Sequence, residues 1–278
     1  MIPLSQPKNI DEKFTNSILQ KINYGAFGLH LVSAIAVAIA FGVVNKKANF
    51  DTNLWSYKIT QISDDDRDID LVSYPYLDIG TIPLETLVVV IFFITSLFHI
   101  FYATSPLYYT EINNGYNRYR WLEYGITSSL MIFVLCIISG VKDFDTVILL
   151  TFMNGFLMSF GYFFEMSQER QAKLISLVMG FFMLLVIWFT IFRNFFYRVD
   201  EVNKVSTRKI PTWIYGVLIP MFFWWISFGL VAMIRYIKGG DPRKYEFFYI
   251  LLSYLSKAFM GYYLTYGILR EPEPEKPK

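Results

Sequence analysis

The chain has 278 residues, of which 54% are hydrophobic, 19% aromatic and 17% charged, and its formal net charge at pH 7 is +2. So small a net charge gives no broad basic surface, and we expect no nucleic-acid partner. The single cysteine, Cys136, excludes a disulfide framework and indicates no redox chemistry.

The charged residues lie between long apolar stretches rather than being spread along the chain. Each stretch has roughly 18–25 residues, the length that crosses a lipid bilayer as a helix. The first is too long for a signal peptide, so we expect it to be retained. The sequence therefore predicts an all-α integral membrane protein with a single domain over residues 1–278. The seven predicted helices cover residues 22–45, 86–110, 115–141, 146–164, 174–192, 210–234 and 247–269.

The first two predicted helices each contain one histidine, His30 and His99, and the chain has no other. An imidazole inside a membrane helix is often a packing residue. One that lies near a proton donor can instead accept and relay protons. Both readings are open for this pair.

The connections differ in character. Within the long acidic connection at residues 46–84, residues 55–62 and 69–74 alternate between apolar and polar side chains. This alternation predicts a β-hairpin on the membrane surface, with an irregular capping loop as the alternative. We expect a solvated loop at residues 193–209 and a disordered tail at 270–278. Lysine and arginine are divided almost evenly between the two sides, so the positive-inside rule leaves the orientation undecided.

The third predicted helix contains Glu123, which is a functional candidate because a carboxylate at membrane depth is costly. One interpretation is that it pairs with Arg120, three residues earlier on the same helix. The other is that it pairs with a cation on another helix, with Tyr124 and Thr127 donating hydrogen bonds to that pair.

The fourth and sixth helices contain residues that suit either packing or a ligand pocket. Gly155 and Gly161 suit close helix approach, with Asn154 nearby. The sixth-helix aromatic residues Phe222 and Phe223 are either lipid-facing bulk or part of a pocket for a flat, conjugated ligand.

The seventh helix contains the most informative residue, Lys257, near the middle of residues 247–269, which hold no other charge. Its Cα is expected to lie roughly 15 Å from either end of that stretch. An unpaired ammonium there costs at least about 2.5–3.5 kcal/mol. Lys257 therefore needs a carboxylate partner, a lowered pKa or a carbonyl ligand bound as a Schiff base. Ser253 lies one turn earlier and either faces Lys257 or bonds to its own helix. No metal-ligand spacing, nucleophile elbow or phosphate-binding loop is found, so we expect no enzyme.

A seventh-helix lysine with a third-helix carboxylate resembles the retinal-binding rhodopsins. In animal opsins the motif NPxxY follows the lysine, whereas in this chain Lys257 is followed by AFMGYYLTYG. Microbial proton pumps have Asp, Thr and Asp on the third helix and a further Asp one turn before the lysine. Those positions here read Glu123, Thr127, Val134 and Ser253. The second counterion and the donor carboxylate of an outward pump are therefore missing.

The chain is most similar to the heliorhodopsins. The resemblance rests on NRYRWLEYGITSSLM in the third helix, SLFHIFYA in the second, FMNGFLMSFGYFFE in the fourth and SYLSKAFMG in the seventh. It covers essentially the whole chain and implies a seven-transmembrane-helix rhodopsin-like bundle, with the hairpin-like loop between the first two helices. It also implies all-trans-retinal bound to Lys257 as a protonated Schiff base, with Glu123 as the counterion.

The resemblance implies roles for further residues. Ser253, Thr127 and Ser128 would form hydrogen bonds near the Schiff base, and His30 and His99 would accept its proton. With the sixth-helix aromatic residues included, the expected retinal pocket is lined by Trp121, Tyr124, Asn154, Met158, Gly161, Phe222 and Phe223.

The resemblance also implies a cytoplasmic N-terminus, an extracellular C-terminus and a homodimer formed partly through the first loop. Because a donor carboxylate is missing farther along the third helix, we expect a slow photocycle and a photosensory role. The alternative is a light-activated proton transporter or channel. In that case the border carboxylates Glu85, Glu111, Glu165 and Glu246 would contribute to a proton path. The sequence identifies no signalling partner.

Overall fold

The computed structural model describes residues 14–44, 49–62, 69–141, 143–205 and 209–270, with only the backbone described for residues 49–82. Of the tail expected to be disordered, residues 270–278, Arg270 ends a helix and residues 271–278 lie outside the described residues. Helices dominate, and two strands follow the first helix. In chain order the elements are α1 Asn16–Val44, β1 Asn49–Ile62, β2 Ile69–Pro83, α2 Leu84–Thr104, α3 Pro106–Asn113, α4 Arg118–Ile138, α5 Phe144–Met166, α6 Arg170–Val205, α7 Thr212–Lys238 and α8 Pro242–Arg270.

Seven of these helices are long enough to cross a membrane. Six of them, α1, α2, α4, α5, α6 and α7, are also strongly apolar along their length. The seventh, α8, has 29 residues. Its tyrosines, serines and Lys257 make it less apolar. The predicted seven-helix fold is therefore confirmed, and the third to seventh predicted helices correspond to α4–α8.

The membrane helices pack in a closed ring in the order α1, α2, α4, α5, α6, α7, α8 and back to α1. Helix α4 is the most deeply buried of the apolar helices, so most of its side chains contact neighbouring helices. The outer surface exposes large apolar side chains, as a surface in contact with lipid requires. Examples are Val32, Phe152, Phe189 and Ile237.

The connection after α1 forms the predicted hairpin. Strands β1 and β2 pair antiparallel, from Asn49 opposite Pro83 to Ile62 opposite Ile69. The alternative of an irregular capping loop is therefore wrong for the described residues. The strands are longer than the alternation predicted, and the residues between them, 63–68, lie outside the described part of the chain.

Most helix boundaries differ by a few residues from the sequence prediction, and two of the differences change a connection. The second predicted helix, 86–110, ends at Thr104, because Ser105 is extended before Pro106, and Pro106 begins the separate helix α3. The solvated loop predicted at 193–209 is wrong up to residue 205, because α6 continues as a helix to Val205. Ion pairs one turn apart support that charged helical end, Arg198 with Glu201 and Lys204 with Asp200.

Candidate functional site

Lys257 on α8 and Glu123 on α4 form an ion pair inside the bundle. The Lys257 Nζ lies 3.1 Å from Glu123 Oε1, and only 3% and 1% of the two side chains are exposed. A buried ion pair is stable only when other groups form hydrogen bonds with the remaining ammonium protons and carboxylate lone pairs. The structure therefore brings Lys257 and Glu123 together, and their roles as Schiff-base lysine and counterion stay predictions.

Neighbouring side chains fill those remaining positions. The Lys257 Nζ donates to Ser253 Oγ at 2.6 Å, so Ser253 faces Lys257, as one turn of α8 allows. The Tyr102 hydroxyl on α2 donates to Glu123 Oε2 at 3.0 Å. The Lys257 ammonium also lies 5.2 Å from the centre of the Tyr124 ring, within cation–π range. Tyr102 was not predicted from the sequence, since its partner lies on another helix.

Thr127 and Ser128 follow Glu123 closely on α4, but their hydroxyls donate to backbone carbonyls of the same helix. Thr127 Oγ1 donates to the Glu123 carbonyl and Ser128 Oγ to the Tyr124 carbonyl, in each case four residues earlier on α4. Hydroxyls in membrane helices commonly bond in this way. Among the described residues, neither hydroxyl donates to Lys257 or to the Glu123 carboxylate, contrary to what the resemblance implies.

Arg120, the alternative partner of Glu123, pairs instead with two carboxylates on other helices. Its guanidinium donates to Glu246 at the start of α8 and to Glu165 at the end of α5, and all three side chains are buried. Arg235 on α7 also donates to Glu165, at 2.6 Å. We call Arg120, Glu165, Arg235 and Glu246 the charged cluster. The interpretation that Glu123 pairs with Arg120 is wrong.

An apolar cavity lies among α4, α5, α6, α7 and α8, with Lys257 in its wall. It encloses about 810 Å³ of space, including its opening. Of the residues predicted for the site, Trp121, Tyr124, Ser128, Met158, Gly161 and Lys257 line it. Further lining residues that the sequence prediction missed include Leu157, Phe181, Leu184, Trp225, Phe228 and Ser256.

Three predicted pocket residues do not line this cavity. Asn154 lies behind the wall, where its amide donates to Ser128 Oγ at 2.7 Å and its oxygen accepts from Trp225 Nε1 at 3.1 Å. Phe222 and Phe223 lie outside the lining of the cavity. Phe222 packs against Trp188, with ring centres 5.5 Å apart, and Phe223 is 58% exposed on the outer surface. The rotation of α7 presents Trp225 and Phe228 to the cavity instead.

Gly161 permits a close approach of α5 to the Trp121 ring. A Cβ atom at position 161 would lie 2.1 Å from Trp121 Cζ3, which real side chains do not tolerate. The Trp121 indole nitrogen donates to Glu165 Oε2 at 2.9 Å, and its ring also lines the cavity. Trp121 therefore connects the cavity wall to the charged cluster.

His30 and His99 form a buried stacked pair between α1 and α2. Their ring centres lie 5.4 Å apart with an interplanar angle of 8°. His99 Nδ1 lies 2.8 Å from the Asn23 side-chain oxygen, which accepts and so assigns the His99 proton to Nδ1. His99 Nε2 and both His30 ring nitrogens have no hydrogen-bond partner among the described residues. A neutral imidazole with an unpaired ring nitrogen can accept a proton.

A chain of hydrogen bonds leads from His99 to the charged cluster. Asn23 Nδ2 donates to the Tyr108 hydroxyl at 3.2 Å, and Tyr108 donates to Glu246 Oε1 at 3.0 Å. Burial in α3 raises the pKa of Tyr108 well above its ordinary value, so this hydroxyl stays protonated and remains a donor. Of the border carboxylates, Glu246 ends this chain, whereas Glu111 pairs with Arg118 at 2.5 Å.

The arrangement favours covalent attachment of an apolar carbonyl ligand. A primary amine in the wall of an apolar cavity can form a Schiff base with an aldehyde, and an adjacent carboxylate stabilises the protonated nitrogen. Among the described residues no group of histidine, cysteine or carboxylate side chains is arranged to hold a metal ion.

Comparisons with known proteins agree with this geometry. The family model for heliorhodopsins matches residues 19–269, and no curated protein sequence matches the chain. The transmembrane domain of Salpingoeca rosetta rhodopsin phosphodiesterase has a similar structure, with a TM-score of 0.67 at 13% identity over 92% of this chain and 86% of that one.

Two further solved structures have a similar fold. A light-driven proton pump from Leptosphaeria maculans gives a TM-score of 0.65 at 12% identity over 95% of this chain and 98% of the other. Exiguobacterium sibiricum rhodopsin gives 0.61 at 13% identity over 91% and 96%. At such low identities the similarity establishes the fold.

Proposed function

The chain belongs to the heliorhodopsin family, and we propose that it is a light-sensing protein that binds all-trans-retinal on Lys257 as a protonated Schiff base with Glu123 as the counterion. The observation that carries this proposal is the position of Lys257. Its amine lines an apolar cavity and lies 3.1 Å from a buried carboxylate.

The lining residues fit a long, flat, conjugated ligand. The wall is built mainly from aromatic and aliphatic side chains, with the Trp121, Phe181 and Phe228 rings facing the cavity. Apolar walls with few polar groups are typical of sites for small organic ligands. Glu123 and Ser253 contact the Lys257 nitrogen, where the reactive end of an aldehyde would be held.

Retinal bound at Lys257 would supply absorption of visible light and a change of shape on excitation. Glu123 holds the proton on the Lys257 nitrogen by its negative charge, since an adjacent carboxylate favours the charged form. The Lys257 ammonium donates to both Glu123 and Ser253, whereas a protonated Schiff base has a single N–H, which these two acceptors would share. Once the nitrogen moves away from Glu123, the ion pair weakens and the proton is released toward an acceptor.

We propose a sensory, non-enzymatic output for this release. The positions that supply carboxylates in proton pumps hold Val134 and Ser253 here, so return of a proton to the nitrogen depends on slower routes. A slow photocycle leaves a long-lived altered conformation, which suits signalling. A homodimer and an orientation with the N-terminus in the cytoplasm stay predictions that rest on the family.

A second candidate function is a light-activated proton transporter or channel. The specific observation in its favour is the hydrogen-bonded series His99, Asn23, Tyr108 and Glu246. It connects the histidine pair inside the bundle to the charged cluster at one end of the helices. Every hydrogen bond in the series donates toward Glu246, and a proton that passes along it would gain the Asn23 oxygen and leave the Asn23 nitrogen, so that the amide passes through its imidic acid form and must then return.

Photocurrent under voltage clamp separates the two functions. Cells that express the chain and are supplied with retinal are illuminated at several holding potentials, with Lys257→Ala as the control. We expect a visible absorption band and no sustained current, as a sensor requires. A sustained current that depends on pH and is lost in Lys257→Ala would contradict the sensory function and support the proton transporter. No visible band in the parent protein would contradict retinal binding itself.

A further inference from the structure

An open cleft with basic walls lies where α6 begins and α7 ends, apart from the retinal cavity. Arg170, Lys173, Arg235 and Lys238 line it. None of the ten described lining residues is acidic. We infer that this cleft binds a phosphate group, carried either by an anionic membrane lipid or by a small soluble phosphate.

Three of the four cations of the cleft, Arg170, Lys173 and Lys238, have no carboxylate partner among the described residues. Arg170 Nε donates to the neutral Tyr236 hydroxyl at 3.3 Å. Lys173 Nζ lies 5.8 Å from the centre of the Phe164 ring. Lys238 is exposed in the last turn of α7. These like charges repel one another in one cleft, and a bound anion would remove that repulsion.

Arg235 is the one lining cation with a carboxylate partner, and that carboxylate is shared. Glu165 accepts from Arg235, from Arg120 and from the Trp121 indole. It also accepts from the Asn117 backbone N–H at 3.0 Å. Because Glu165 is shared among several donors and is buried, it does not neutralise the exposed side of the cleft.

The chemistry of the walls favours phosphate over a lone carboxylate ligand. Phosphate offers several oxygens to converging donors, and guanidinium groups bind such oxygens in pairs. The start of α6 adds the positive end of a helix dipole. Phe164 and Ile237 give the cleft an apolar side, and helix ends lie at the depth of lipid headgroups. An anionic phospholipid would use all of these features.

The test compares two triple variants with equal loss of charge. Arg170→Gln/Lys173→Gln/Lys238→Gln removes the cleft cations that have no role in the retinal site. Arg193→Gln/Lys204→Gln/Lys209→Gln removes three cations from the other end of α6 and the segment after it. Size-exclusion chromatography and circular dichroism check that each variant is folded.

Two binding measurements distinguish the sources of phosphate. Native mass spectrometry counts phosphatidylglycerol retained from nanodiscs of mixed phosphatidylcholine and phosphatidylglycerol. Equilibrium dialysis in neutral detergent measures binding of inorganic phosphate without lipid.

We expect the parent protein and the control variant Arg193→Gln/Lys204→Gln/Lys209→Gln to bind the phosphate ligand equally. The cleft variant Arg170→Gln/Lys173→Gln/Lys238→Gln should bind it roughly tenfold more weakly. Retention of phosphatidylglycerol without binding of inorganic phosphate would identify a lipid site. Binding of inorganic phosphate that the cleft variant loses would identify a soluble ligand. Equal binding by the parent and the cleft variant in both measurements, or no binding by the parent, would overturn the inference.

Discussion

The Tyr102 hydroxyl donates at 3.0 Å to Oε2 of Glu123, the carboxylate oxygen that Lys257 does not use. Glu123 is therefore held from two helices at once, by α2 through Tyr102 and by α8 through Lys257. This geometry fixes the direction in which the carboxylate presents its charge to the Lys257 nitrogen. The predictions below depend on it and on the residues around it.

Glu123→Gln should deprive the Lys257 nitrogen of its counterion. Breaking a buried ion pair costs about 3–5 kcal/mol, so the unprotonated nitrogen gains roughly 100-fold or more in relative population. We expect much of the visible retinal band to move to the near ultraviolet at neutral pH. Absorption spectra of Glu123→Gln are compared with those of Glu123→Asp, which keeps the negative charge. An unchanged visible band in Glu123→Gln would remove Glu123 from this role.

Tyr102→Phe should strengthen the counterion rather than remove it. The lost hydrogen bond to a charged group is worth about 1.5–3 kcal/mol. Without it more negative charge remains on the carboxylate near Lys257. The visible band should then shift to shorter wavelength while the pigment remains intact. Tyr109→Phe, whose hydroxyl lies 3.5 Å from the Ala103 carbonyl oxygen, is the matched control. A shift to longer wavelength would contradict the assignment.

Gly161→Ala should displace the Trp121 ring from the cavity wall. The added methyl would lie 2.1 Å from Trp121 Cζ3, and overpacking of this kind costs about 1–3 kcal/mol. We expect a lower Tm and slower uptake of retinal. Gly155→Ala on the same helix is the control, since its methyl would lie 3.6 Å from Ser129 Oγ, an ordinary contact. Equal behaviour of the two variants would count against the close approach.

Arg120→Gln should destabilise the fold strongly. It leaves Glu246 buried without the cation that neutralises it, at a cost of about 3–5 kcal/mol. The double variant Arg120→Gln/Glu246→Gln should recover part of the lost free energy of unfolding. Lys204→Gln removes an exposed pair with Asp200, which solvent screens, so it should change the stability little. Thermal unfolding of the three variants measures the difference, and equal losses in Arg120→Gln and Lys204→Gln would contradict it.

Tyr108→Phe should interrupt the hydrogen-bonded series between His99 and Glu246. It removes a hydroxyl that accepts from Asn23 and donates to Glu246. We expect an unchanged visible band and a proton release slowed at least about tenfold. A pH-indicator dye followed after a laser flash records the release. Release as fast as in the parent protein would exclude this route.

The sequence predicts the central ion pair because single charges inside apolar stretches are conspicuous. Lys257 and Glu123 each needed a partner at membrane depth, and few candidates were present. Tyr102 and the charged cluster escaped prediction for the opposite reason. A tyrosine is ordinary in a membrane helix, and Glu165 and Glu246 lie at helix ends, where carboxylates are common. Only the ring of helices shows that Arg120 brings them together.

The errors along the chain have similar physical causes. Phe222 and Phe223 share a helix with Trp225 and Phe228, and composition alone does not give the rotation of α7 about its axis. The charged residues after position 192 suggested a loop. Their spacing allows pairs one turn apart, and α6 continues through them. Pro106 did mark a helix boundary, which the apolar run through residue 110 concealed.

Helix α6 runs from the cavity wall to well beyond the bilayer core. Its 36 residues extend about 54 Å, well beyond the roughly 30 Å of a bilayer core. Leu184 lines the cavity, and Val205 lies about 32 Å farther along the same rod. A tilt of one degree about Leu184 therefore displaces the far end by about 0.5 Å. Helix α6 has the geometry of a lever, and under the proposed sensory function a small rearrangement around the ligand would move its far end by a larger distance beyond the bilayer core.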